Sequence, residues 1–94
     1  MEAVNAKGTI CAGRMEYPCR IRLASDTQVV VLLERNSSVS GNVIVVDHKN
    51  GTAMDAKVGQ VKGQELTLSV HATTNLAGLV PARLGRARDI WKRT

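Results

Sequence analysis

Val29–Asp47 reads VVVLLERNSSVSGNVIVVD. Two apolar runs, Val29–Leu33 and Val43–Val46, flank a polar link. Each run is four or five residues long and rich in β-branched side chains. That is short for a helix and suited to a pleated surface. The link Asn36-Ser37-Ser38-Val39-Ser40-Gly41 collects the turn formers of the region. The stretch therefore predicts two strands joined by a polar connection, and any binding site is expected to include that connection.

Upstream, Cys19, Ile21 and Leu23 alternate with Arg20 and Arg22. A period of two marks a strand with one buried and one wet face. Ser25-Asp26-Thr27 reads as a turn, so Cys19–Leu23 and Val29–Leu33 form an antiparallel hairpin. Residues 1–18 read as an N-terminal lead-in, poorly ordered over 1–8, with Thr9–Ala12 a short edge strand. Downstream, Asn50-Gly51 is a strong hairpin signal because both residues accept positive φ. Thr52–Ala56 is the returning strand, and Val58–Gly63 a glycine-punctuated connection. Glu65–Val70 alternates with Leu66, Leu68 and Val70 inward, and His71–Asn75 is a polar loop. Leu76–Arg83 is expected as a last strand, placed at an edge by Pro81. Residues 84–94 form a basic tail or short helix, with Leu84, Ala87 and Ile90 or Trp91 along one side. The sum is an all-β chain, a small antiparallel β-barrel of six or seven strands with a short C-terminal helix.

Ninety-four residues make one domain, 1–94. A chain of this size buries more than about 60% of its unfolded surface, enough for one modest core. With no Phe, one Tyr and one Trp, that core must be aliphatic. Binding of nucleic acid on several stacked aromatic rings is thereby disfavoured. A net charge of +5 points to anionic partners or to solubility alone. The cations crowd at Arg83, Arg86, Arg88, Lys92 and Arg93, with a second cluster at Arg14, Arg20 and Arg22. Cys11 and Cys19, with no secretion signal in MEAVNAKG, suit a reducing cytoplasm. No run approaches the about 20 apolar residues of a membrane span.

Little in the chain suits catalysis. His48 and His71 lack metal-ligand spacing with the cysteines. Asp47 and Asp55 flank the Asn-Gly turn, where capping is the expected role. No phosphate-cradling glycine motif in a strand-to-helix context is present. Met15 and Met54 are expected as core filler. An enzyme is the least favoured class, and no metal or cofactor is called for.

Asn36, Ser38 and Gly41 are spaced N-x-S-x-x-G. An amide and a hydroxyl two apart at a strand end face one side and can hydrogen-bond a base edge or a phosphate. The glycine admits positive φ or close approach. Arginine forks nearby bind phosphates bidentately and stack on planar rings. This motif resembles the [D/N]-x-S-x-x-G of PilZ domains, small β-barrels that bind the bacterial second messenger cyclic di-GMP. Arg14–Leu23 resembles that family's lead-in to its first barrel strand, and Val61–Leu68 its later G-x-x-V-x-L strand. Arg14 lies where the second arginine of the family's R-x-x-x-R segment falls, and Ile10 stands where the first would.

The resemblance implies a non-enzymatic sensor of cyclic di-GMP, or a degenerate relative that signals through a protein partner. Asn36 and Ser38 would hydrogen-bond the ligand, and Gly41 would permit the turn. Arg14, with Arg20 or Arg22, would supply phosphate contacts and stacking. Binding would order residues 1–18 against the barrel. Read from composition alone, the motif is also compatible with a plain polar turn, and the arginines with a solvated strand face. Two other functions fit the charge and the strands. One is a basic barrel that binds nucleic acid through its tail and strand faces. The other is a ligand-free structural domain that oligomerises through an exposed strand edge.

Overall fold

The computed structural model describes residues 2–93. Six strands follow one another: β1 (Glu2–Ala12), β2 (Met15–Ala24), β3 (Gln28–Leu33), β4 (Asn42–Asp47), β5 (Thr52–Lys62) and β6 (Glu65–Asn75). A single 3-10 turn (Ala82–Leu84) then leads into one helix, α1 (Gly85–Lys92). All pairings are antiparallel, and the order β1-β2-β3-β6-β5-β4 closes back on β1.

The alternation read in β2 is present: Cys19 and Ile21 are buried while Arg20 and Arg22 are exposed. Cys19 pairs with Leu33 and Ile21 with Val31, as the expected hairpin requires. Ile10, Cys19, Ile21, Val29, Val31, Val45, Leu66 and Leu68 fill the barrel as one aliphatic cluster. β3 and β4 are not neighbours, however. β3 pairs with β2 and β6, and β4 with β1 and β5, so the link between them crosses the barrel mouth.

β4 explains its own unbroken apolar run. Val43 and Val45 belong to the interior cluster. Val46, with Ile44 beside it, belongs to a second cluster outside the barrel, built with Cys11, Ala53, Leu76, Leu84, Ala87 and Ile90. Covered on both faces, residues Val43–Val46 are apolar throughout, and the polar Asn42 and Asp47 stand at the strand's two ends. The expected apolar stripe on the helix is present, and Trp91 packs against the same outer cluster.

Several boundaries differ from the sequence reading. The lead-in is β1, an eleven-residue strand paired with β2 and β4. Gly8 is no break: a Cβ there would stand 3.0 Å from the Val46 carbonyl oxygen and 3.2 Å from Cys19 Sγ. The glycine lets the wall close up. Residues 58–62 continue β5, with register shifts at Asp55/Ala56 and Val58/Gln60 absorbing the irregularity. His71–Asn75 continue β6 by pairing with the start of β5. Residues 76–83 form no strand, because β4 and β6 already flank β5. The six strands close into a barrel, with β1 paired to β4 over Gly8–Cys11.

Asp47 caps its turn as expected. Its carboxylate accepts hydrogen bonds from the backbone N–H groups of Lys49 and Asn50 and from the Asn50 amide. Asp55 instead pairs with Arg83, at 2.7 Å. Met54 is buried, whereas Met15 is 56% exposed at the β1–β2 hairpin tip. No helix among the described residues is long and apolar enough to cross a membrane.

Candidate functional site at the barrel mouth

Residues 34–41 span the barrel mouth and are fixed at three points. The Glu34 N–H donates to the Pro18 carbonyl at 3.1 Å, tying the start of the link to β2. Val39 is buried in the barrel core and plugs the opening. The Val58 N–H donates to the Gly41 carbonyl at 3.0 Å, tying the end to β5. Gly41 has φ +75° with open space where a Cβ would stand. Glycine is required there for the backbone and not for room.

With Val39 inward, Asn36, Ser38 and Ser40 are left exposed. They line a groove of about 490 Å³ together with Ser37, Val39, Val61 and Gly63. A second groove of about 320 Å³ lies on the other side of the link, between Met15-Glu16-Tyr17-Pro18 and Arg35 with Ser37. Ser37 lines both. The mouth therefore offers amide and hydroxyl groups on one side, and a ring, a thioether and a guanidinium on the other.

Of the residues singled out in the sequence, Asn36, Ser38 and Gly41 share this link. Arg14 stands at the same end, in the turn that joins β1 to β2. The backbone of that turn is held from α1: Arg86 donates to the carbonyls of Gly13 and Arg14 and reaches Glu16 at 3.3 Å. Arg20 and Arg22 are elsewhere. Arg20 lies on the outer wall between Lys7 and Leu32 and donates to the Asn5 side chain at 3.2 Å. Arg22 sits at an irregularity in β2 and lines an outer groove with Ala3, Val4, Asn5, Leu23, Val30 and Glu65. None of Arg14, Arg20 and Arg22 lines the two grooves at the mouth, though Arg14 stands at that end of the barrel.

Sequence reasoning missed Arg35. It has no ion-pair partner among the described residues. Glu16, the acid in the same groove, is engaged by Arg86 and Arg93. The one available signal was adjacency to Asn36; what could not be seen was the opposite wall, supplied by residues 15–18. The C-terminal cations read in the sequence as a basic tail or short helix. Three of them tie the C-terminal segment to the barrel: Arg83, in the 3-10 turn, pairs with Asp55, while Arg86 of α1 and Arg93 just after it pair with Glu16.

The remaining chemistry is quiet. Both cysteines are buried and unpaired. Burial pushes the Cys19 thiol up to about 12 and raises Cys11 as well. Both stay protonated at neutral pH, and a thiol is a poor nucleophile. Among the described residues no three metal-ligating side chains cluster. Comparison with known proteins finds no matching family model, curated protein or solved structure.

Proposed function

We propose that the protein is a non-enzymatic binding module whose barrel mouth takes a phosphate-bearing, planar ligand, cyclic di-GMP in the reading that the N-x-S-x-x-G motif suggests. One observation carries this reading. The motif's polar side chains are displayed in a groove on a link pinned at both ends and plugged by Val39, with cationic residues at the same end. A preorganised loop pays little ordering entropy on binding. Asn36 and Ser38 hydrogen-bond the ligand, and Arg14 supplies a phosphate contact. Arg20 and Arg22 take no part, since they stand on the outer wall. The N-terminal segment is already a barrel strand, so a protein partner would read the occupied mouth and not a newly ordered arm.

Calorimetric titration with cyclic di-GMP, against GMP as control, tests this. Micromolar or tighter binding to the dinucleotide, at least tenfold stronger than to GMP, is the expected result. Asn36→Ala with Ser38→Ala removes two hydrogen bonds of about 1 kcal/mol each and weakens binding roughly thirtyfold. No heat with the dinucleotide, or equal affinity for GMP, overturns the proposal. A twenty-nucleotide RNA serves as a further control. The exposed pair Lys7–Arg20 places two cations opposite one another on the outer wall, a costly arrangement unless an anion meets it. RNA binding with a steep salt dependence would move the function to that wall.

A further inference from the structure

We infer that the second groove, between the β1–β2 hairpin and Arg35, is a base-binding subsite for a guanine ring, with Tyr17 as its stacking face and Arg35 as its reading group. The inference rests on the proposed function and deepens it. The cavity measures about 320 Å³ and is lined by Met15, Glu16, Tyr17, Pro18, Arg35 and Ser37. That lies within the range of small-ligand pockets, which combine apolar walls with a few placed polar groups.

Each wall has a reason to be there. Tyr17 shares the inward parity of Cys19 and packs partly against the barrel core, which holds the ring while leaving it half exposed. It is the chain's one tyrosine, and it lines one of the two grooves at the mouth. Met15 is 56% exposed beside it, an adaptable apolar surface with no core to fill. The bond from the Glu34 N–H to the Pro18 carbonyl locks Arg35 next to residues 17 and 18. Arg35 is exposed and has no ion-pair partner among the described residues. A guanidinium fork left unpaired beside a half-exposed ring matches a purine that stacks on the ring and offers two acceptors at its edge. Guanine, through O6 and N7, is the base that presents two acceptors to an arginine fork. Adenine presents one acceptor and one donor there.

The two grooves meet at Ser37, so one base lies at the Tyr17 side while the phosphates and sugar reach Asn36 and Ser38. Arg35 thus provides a guanidinium at the mouth that neither Arg20 nor Arg22 can provide.

The test uses the full chain, isotopically labelled for amide NMR, titrated with cyclic di-GMP and with millimolar GMP and AMP. Arg35→Gln and Tyr17→Leu are the variants; the first changes an exposed side chain and the second retains an apolar body. The expected result is that GMP shifts the amides of Tyr17 and Arg35 more than AMP does. Arg35→Gln then erases that preference and weakens cyclic di-GMP about tenfold. Dinucleotide shifts confined to residues 36–41, with both variants binding as the parent does, overturn the subsite and leave the proposed function standing. No dinucleotide binding, with GMP still reading Tyr17 and Arg35, keeps the subsite and overturns the proposed function. Silence from all three nucleotides overturns both.

Discussion

At the scale of single residues, His48 carries a pH dependence whose sign is fixed by its surroundings. It follows Asp47 in the β4–β5 turn, and its Nε2 lies 2.9 Å from Thr9 Oγ1. Burial is the largest influence and lowers its pKa below the ordinary 6.5; the Lys7 charge lowers it further, and Asp47 works against both. The folded state therefore takes up the proton later than the unfolded chain. As pH falls through 6.5 the unfolded state binds more protons, so stability is full above that value and declines below it. Thermal midpoints measured from pH 7.5 to 5.5 should fall, and His48→Gln should flatten the decline. An unchanged slope in the variant would assign the loss to other groups. Asp47 beside it was legible, because an acid before an Asn-Gly turn has few other uses. Asp55 was not: its partner Arg83 is 28 residues away, and nothing local announces the pair.

At the scale of elements, period-two alternation and β-branched runs predicted β2, β3, β4 and the first half of β5 and β6. The strand segments that read as loops share a cause. Residues 2–8, 58–62 and 71–75 are rich in Gly, Thr, Ala or polar side chains, which locally resemble loops. They are strands because neighbouring strands demand partners, a tertiary requirement that overrides weak local preference. The helix was legible from Leu84, Ala87 and Ile90, but the purpose of its arginines was not. Packing this helix on β1 and β4 hides Cys11, while Cys19 is inside the barrel. Ile90→Ala removes buried methylenes at the centre of that contact, at a cost of about 2–4 kcal/mol. Labelling by a thiol reagent should then accelerate at Cys11 and stay slow at Cys19. Equal acceleration at both would mean that the barrel itself had opened and that the helix is not a separable cover.

At the scale of the whole molecule, the two hydrophobic clusters share one wall. Val43 and Val45 face the barrel interior, and Val46 faces the outer cluster, one residue apart on β4. Neither cluster can lose this strand without exposing the other. Closure strengthens the coupling, because removing β4 would leave β1 and β5 with unpaired edges. The three arginine ion pairs of the C-terminal segment meet the barrel at Asp55 of β5 and, twice, at Glu16 of β2, but all are at least partly exposed and contribute little each. The shared strand, not the ion pairs, makes the helix part of the barrel's cooperative unit. Trp91 is the chain's one tryptophan and packs on the outer cluster, while far-ultraviolet dichroism reports mainly the barrel. Urea unfolding followed by both signals should give one coincident transition, with a slope of about 1 kcal/mol/M for a chain this small. Tryptophan fluorescence changing at lower urea than the dichroism would show the helix leaving first. In that case β4 would hold in the barrel without its outer cover, and the coupling argued from the shared wall would be absent.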